Sequence, residues 1–161
     1  MPQKKAKLYV MCGIPGSGKS TFAKEKLGHI YYVSRDAIRF SLVKENEEYF
    51  NAEKDVFSKF VAEINQCLGL GQDCVADATH LNEPSRRKLL KAITAECDVV
   101  FVEMLTPASI CKIYNNNREG RARVPDDAMN RMIQAFVRPK LYEDKRVTTI
   151  LSILPNWRDA N

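Results

Sequence analysis

Lys19 and Ser20 close a run, Gly13-Ile14-Pro15-Gly16-Ser17-Gly18-Lys19-Ser20-Thr21, that meets every position of the phosphate-cradling pattern G-x-x-x-x-G-K-[ST]. Glycines at these positions let successive backbone N–H groups turn inward onto phosphate oxygens, and the loop opens into a helix N-terminus that favours an anion. Lys19 would reach the β- and γ-phosphates as a point charge. The Ser20 hydroxyl would ligate the Mg²⁺ that bridges them, with Thr21 behind it as a weaker candidate. The run predicts a nucleoside triphosphate site served by ATP and Mg²⁺.

In open parallel sheets ligands gather beyond the carboxyl ends of the strands, so polar residues that follow apolar stretches carry the next candidates. Ser34-Arg35-Asp36-Ala37-Ile38-Arg39 follows one such stretch, and Asp77-Ala78-Thr79-His80-Leu81-Asn82 follows another. Asp36 and Arg39 stand three apart at a predicted helix start and so share a face. As a pair they offer a base for an attacking hydroxyl and a bidentate anchor for an anionic acceptor. Asp77 would hold a magnesium-bound water or steer Arg39. His80 has no partner carboxylate at catalytic spacing and is left out of catalysis, and Arg86 and Arg87 read as a solvated helix face. The polar stretch from Asn115 to Pro125 places Arg118, Arg121 and Arg123 between two predicted helices and reads as a lid. An arginine carried over the transferring phosphoryl group would stabilise its charge. Arg118 is the first candidate and Arg121 the second, as an ATP contact. Trp157 is expected to pack against the sheet edge rather than to border the base.

Positioning these groups requires strands and helices in alternation. Leu8 to Cys12 reads as a buried strand before the loop, and Thr21 to Leu27 as a helix after it. Ile30 to Val33 reads as a second strand, with Ser34 capping a short helix from Asp36 to Val43. Val56, Phe57, Phe60, Val61, Ile64 and Leu68 recur at helical spacing, and Gly69 and Gly71 end that element. Cys74 to Ala76 forms a third strand ending at Asp77, and Asn82 with Pro84 opens the next helix. Val99 to Met104 is the fourth strand, Thr106-Pro107 caps a helix, Pro125 starts another, and Val147 to Leu154 is the fifth strand. The order predicts an α/β fold, a five-stranded parallel sheet between helical layers with an arginine-bearing lid at about 115–125.

The chain has 161 residues, 45% of them hydrophobic, which fits a single domain over 1–161. No apolar stretch is long enough to cross a bilayer, and the Met1-Pro2-Gln3-Lys4-Lys5 start has no signal-type apolar region, so a cytoplasmic protein without a membrane partner is expected. The five cysteines lack C-x-x-C spacing and fall in apolar patterns, the signature of reduced core thiols rather than of disulfides or zinc. A net charge of +5 suits a polyanionic partner, although ATP alone also accounts for it. Lys4, Lys5 and Lys7 read as a solvated basic tip.

Together, GIPGSGKST, SRDAIR, DATHLNEPSRR and NREGRARVPDDAMNRM resemble the kinase domain of phage-type polynucleotide 5′-hydroxyl kinases and their P-loop kinase relatives. The resemblance implies an adenylate-kinase-like core, the three-layer P-loop kinase sandwich, with Lys19 and Ser20 on ATP and magnesium. It further implies Asp36 as general base, Arg39 on the acceptor phosphate, and Asp77 and Thr79 on the acceptor side. The lid fits the family's spacing only with a one-residue shift, so the choice between Arg118 and Arg121 stays open. His80 stands where the family usually has Asn. No Asp-x-Asp-Gly-Thr signature is present, so no 3′-phosphatase activity is expected. The implied activity is transfer of the γ-phosphoryl group of ATP to the 5′-OH of a DNA or RNA end. The alternatives are a kinase of a small-molecule or tRNA-linked hydroxyl, and a regulatory nucleotide-binding protein.

Overall fold

A strand covered on both faces must be apolar almost throughout, and three stretches meet that condition: Ala6–Cys12 (β1), Cys74–Asp77 (β3) and Cys97–Met104 (β4). In the computed structural model, which describes residues 4–44 and 52–159, they form the middle of one sheet. The expectation for Met1-Pro2-Gln3 lies outside the described residues. Tyr31–Ser34 (β2) and Val147–Ile153 (β5) are the edges, and the order is β2-β3-β1-β4-β5 with every neighbouring pair parallel. This is the five-stranded parallel sheet expected from the sequence.

Alternate side chains of β1 enter different cores. Leu8, Val10 and Cys12 join Val56, Phe60, Ile64 and Leu68 of Glu53–Gly69 (α3), with Leu89 and Leu90 of Glu83–Ala92 (α4). Met11 faces the other way, onto Phe22 and Ala23 of Lys19–Lys26 (α1). Helices therefore cover both faces. Trp157 packs edge-on against Phe22 of α1, ring centroids 5.2 Å apart. Arg35–Leu42 (α2) begins with Ser34 as cap, its hydroxyl accepting from the Ala37 amide at 3.1 Å. Asn82 caps α4 reciprocally with Ser85, with a proline in the first turn, as its sequence predicts. A smaller core of Ile14, Cys111, Val124, Ala128 and Met129 fastens Ala108–Asn116 (α5) and Asp126–Ala135 (α6) to the loop after β1.

Three local expectations change. Pro107, not Thr106, is the cap of α5, and the Thr106 hydroxyl instead donates to the Ser17 carbonyl at 2.8 Å, tying β4 to the loop. Asn115 is not a loose start of a lid. It is buried, its amide nitrogen donates to Val124 O at 2.8 Å and its oxygen accepts from Val124 N at 3.0 Å, so it pins both ends of the arch that carries Arg118. Arg86 is fully buried, whereas Arg87 lies on the exposed face and pairs with Glu83. Arg86 donates from Nε and Nη2 to the two Glu143 oxygens at 2.7 and 3.1 Å, and from Nη1 to His80 O at 2.8 Å. The five cysteines are free and buried, as expected.

Arg86→Leu strands the Glu143 carboxylate without its countercharge and is expected to destabilise the fold by about 3–5 kcal/mol. Urea unfolding checks this. Adding Glu143→Leu should restore much of the loss, and equal losses in the single and double variants would contradict a paired role.

Candidate active site

The loop between β1 and α1 holds its shape through its backbone. Gly16 and Gly18 adopt φ of 82° and 92°, and a Cβ on Gly16 would lie 2.3 Å from the Cys111 carbonyl oxygen. Only glycine satisfies both conditions at that position. Gly18 caps α1 without a side-chain acceptor, and the first turn contains no acidic residue, so its amides are unspent on the protein's own carboxylates. The Ser17 hydroxyl is likewise buried without a partner among the described residues. These features fit a bound polyphosphate.

Beside the loop, the parallel register aligns Ser34 with Asp77, so the ends of β2 and β3 deliver their polar segments to one place. The Gly13 amide donates to Thr79 O at 2.9 Å and ties the loop to the segment after β3. Ser20 Oγ donates to Asp77 Oδ2 at 2.7 Å, and Tyr32 OH donates to the same oxygen. Burial first, then the Asp77 charge, pushes the Tyr32 phenol up, so it stays a donor. Ser20 and Asp77 form the oxygen pair suited to a hard cation such as Mg²⁺. Lys19 Nζ donates to Ile14 O at 3.1 Å, and burial lowers its pKa against the opposing pull of Asp77 and Asp36.

A cavity of about 260 Å³ gathers most of the residues singled out from sequence: Pro15, Lys19, Ser20, Asp36, Arg39, Asp77, Thr79 and Arg118 all line it. Asp36 Oδ1 accepts from Arg39 Nη1 at 2.5 Å, so the predicted base and anchor touch. Arg118 also lines a second cavity, of about 330 Å³, on the other side of the loop with Gly16, Ser17, Gly18, Thr21 and Trp157. It stands where the two spaces meet. Arg121 lies elsewhere: its guanidinium donates to the Phe40 and Val43 carbonyls at the end of α2 and stacks on the Phe40 ring, 4.6 Å from the centroid. The expected ATP contact of Arg121 is thus replaced by a cap on a helix C-terminus, where a cation is favoured.

Glu53, Arg35 and Tyr32 belong to the site without having been singled out. Glu53 accepts from Arg39 Nε at 3.0 Å, Arg39 Nη2 at 2.7 Å and Arg35 Nη2 at 2.7 Å. Burial alone would raise the Glu53 carboxyl, but these arginines hold it below the usual carboxylate range. His80 is buried in the left-handed region at φ 42°, with Nδ1 2.6 Å from Met11 O, and is stacked on Phe60. It braces the segment that presents Asp77 and Thr79.

Residues 8–139 match the AAA domain model of a P-loop kinase family. The chain belongs to that family. Over 141 residues it is 27% identical to the L-seryl-tRNA(Sec) kinase of Methanococcus maripaludis, a match covering 82% of this chain and 53% of that protein. The chain thus spans about half the length of this curated relative. Among solved structures, the Pnkp1/Rnl/Hen1 RNA repair complex contains a chain similar at a TM-score of 0.71 and 22% identity, covering 83% of this chain and 45% of that one. A putative kinase from Chloroflexus aurantiacus J-10-fl is similar at a TM-score of 0.73 and 12% identity, covering 99% and 91%. The fold is that of the P-loop kinases. No helix among the described residues is long and apolar enough to cross a membrane, and no cluster of three metal-ligating His, Cys, Asp or Glu residues occurs among them.

Burial lowers the His80 pKa from 6.5 to about 4, against the raising effect of its bond to Met11. Between those values the unfolded chain takes up a proton that the folded chain does not, so stability falls as pH drops from 6.5 towards about 4. His80→Asn, which tolerates the same backbone conformation, should flatten this part of the pH dependence in urea unfolding. An unchanged slope in the variant would contradict the assignment.

Proposed function

We propose that the chain is a Mg²⁺- and ATP-dependent kinase that transfers the γ-phosphoryl group to a hydroxyl, the 5′-OH of a DNA or RNA end. The observation that carries this reading is the single cavity in which Lys19 and Ser20 of the loop face the touching Asp36–Arg39 pair. A regulatory nucleotide-binding protein has no use for a carboxylate and an anion anchor opposite the phosphates. A nucleic-acid acceptor is favoured over a small molecule by the likeness to a kinase of L-seryl-tRNA(Sec), which bears equally on a tRNA-linked hydroxyl, and to the RNA repair complex, and the net charge of +5 is compatible with it.

In this mechanism the amides of Gly16, Gly18 and Lys19, at the turn into α1, cradle the triphosphate and the Lys19 side chain neutralises its β- and γ-oxygens. Ser20 and Asp77 would hold Mg²⁺, which when bound withdraws charge from the phosphates. Arg39 grips the acceptor phosphate, with Asp77 and Thr79 on the acceptor side, and sets the hydroxyl in line with the γ-phosphorus. Asp36 takes the hydroxyl proton as the new O–P bond forms and the bond to the β,γ-bridging oxygen breaks, leaving ADP. Arg118, on the arch pinned by Asn115, covers the equatorial oxygens and excludes water. In this proposal 115–125 is the lid of one kinase domain.

With γ-labelled ATP and a panel of 5′-OH oligonucleotides, nucleosides and sugars, label is expected on the oligonucleotide 5′ end. Asp36→Asn should lower kcat by about 10²–10⁴-fold while leaving ATP affinity unchanged. Label confined to small molecules would reject the nucleic-acid acceptor, and full activity in Asp36→Asn would reject the base.

A further inference from the structure

Arg39 is among the most sequestered charges beside the cavity, its side chain 8% exposed, and the edge of its guanidinium that binds oxyanions bidentately is filled by Glu53. We propose that Arg35 and Arg39 form a two-guanidinium seat for one phosphate of the acceptor, and that the Glu53 carboxylate fills this seat until the acceptor arrives. The proposal rests on the kinase reading, in which Arg39 holds the acceptor phosphate, and deepens it by adding Arg35 to that anchor and by making Glu53 the group that the phosphate must displace.

Three observations carry it. The first is geometric: Glu53 Oε2 accepts from Arg39 Nε at 3.0 Å, while Oε1 accepts from Nη2 of both Arg39 and Arg35 at 2.7 Å. Two guanidinium groups thus converge on one carboxylate edge, an arrangement that a tetrahedral phosphate, with more oxygens than the carboxylate, satisfies equally. The Arg35 Nε is buried without a partner among the described residues, a donor that the carboxylate leaves unused. The Arg35 plane is steadied by the Phe57 ring, 5.5 Å away.

The second is the asymmetry of exposure. The Glu53 side chain is 36% exposed and begins α3, so it can turn into water when displaced. Arg39 cannot leave without uncovering a buried charge, and so needs an anion at all times. Asp36 remains on Arg39 Nη1, so exchange at the Glu53 edge leaves the base and anchor in contact.

The third is location. Arg35, Asp36, Arg39 and Glu53 line the same cavity as Lys19 and Asp77, so an anion in the seat belongs to the molecule whose hydroxyl meets the γ-phosphate. A neutral alcohol cannot displace an ionised carboxylate from two guanidinium groups, whereas a phosphorylated one can. Glu53 is in this sense the specificity-determining residue of the acceptor site.

The test is calorimetric binding of adenosine 3′-monophosphate and of adenosine to the full chain with Mg²⁺ and ADP present. Glu53→Gln removes the competing charge and keeps the side-chain shape. It should tighten adenosine 3′-monophosphate about tenfold while leaving adenosine unchanged within about twofold, and adding Arg35→Ala should abolish the gain. Weakened or unchanged binding of the 3′-monophosphate to Glu53→Gln overturns the proposal, as does equal tightening of adenosine. Tightening in a chain that labels no hydroxyl would uphold the seat and reject the kinase reading. Labelling of oligonucleotides without the tightening would reject the seat alone.

Discussion

The site depends on the adjacency of β1 and β3. Because β3 enters the sheet between β2 and β1, the loop after β1 lies against the segment after β3, and the Gly13 amide bonds the Thr79 carbonyl at 2.9 Å. The same adjacency sets Ser20 on Asp77. With β4 on the other side of β1, the chain reverses its direction of growth across the sheet at this strand. Such a switch point opens a crevice beyond the strand ends, and the glycine loop fills it with amides. Without this order, the loop would still be a phosphate nest, but neither Asp77 nor the segment after β3 would face it.

Around that adjacency the fold spends several buried polar contacts on rigidity. The Arg86–Glu143 pair and His80 brace the segment after β3 from behind, Thr106 holds the loop from β4, and Asn115 ties the arch of Arg118 to Val124. None of these groups lines the cavity that holds Asp36 and Arg39. They fix the distance between the loop and the Asp36–Arg39 pair, and the proposed phosphoryl transfer, which relies on positioning, is sensitive to that distance. The charges in the cavity are balanced similarly: Lys19, Arg35, Arg39 and Arg118 stand against Asp36, Glu53 and Asp77. The small cationic excess suits polyanionic reactants.

What was legible in the sequence was local. The glycine loop, the Asn82 cap, the α3 stripe and the alternation of strands and helices are each encoded within a few residues, and the structure has them where the patterns put them. Local spacing likewise brought Asp36 to Arg39. The reading failed where partners are distant in the chain. Arg86 looks like a solvated arginine until Glu143 is brought to it, and His80 looks idle until Met11 and Phe60 surround it. Glu53 carries no local mark at all, because its meaning comes from two arginines across the gap between α2 and α3. Arg121 had the right composition around it for a phosphate contact, but the nearer demand was the open C-terminal end of α2.

The central claim is that the loop amides hold a triphosphate whose Mg²⁺ is received by Ser20 and Asp77. Calorimetric titration of a non-hydrolysable ATP analogue, with Mg²⁺ or with chelator, tests it most directly. The expected result is saturable binding that tightens with Mg²⁺ in the native chain and loses this dependence, but not the binding itself, in Ser20→Ala. No binding in either condition, or binding indifferent to Mg²⁺ in the native chain, would contradict the account.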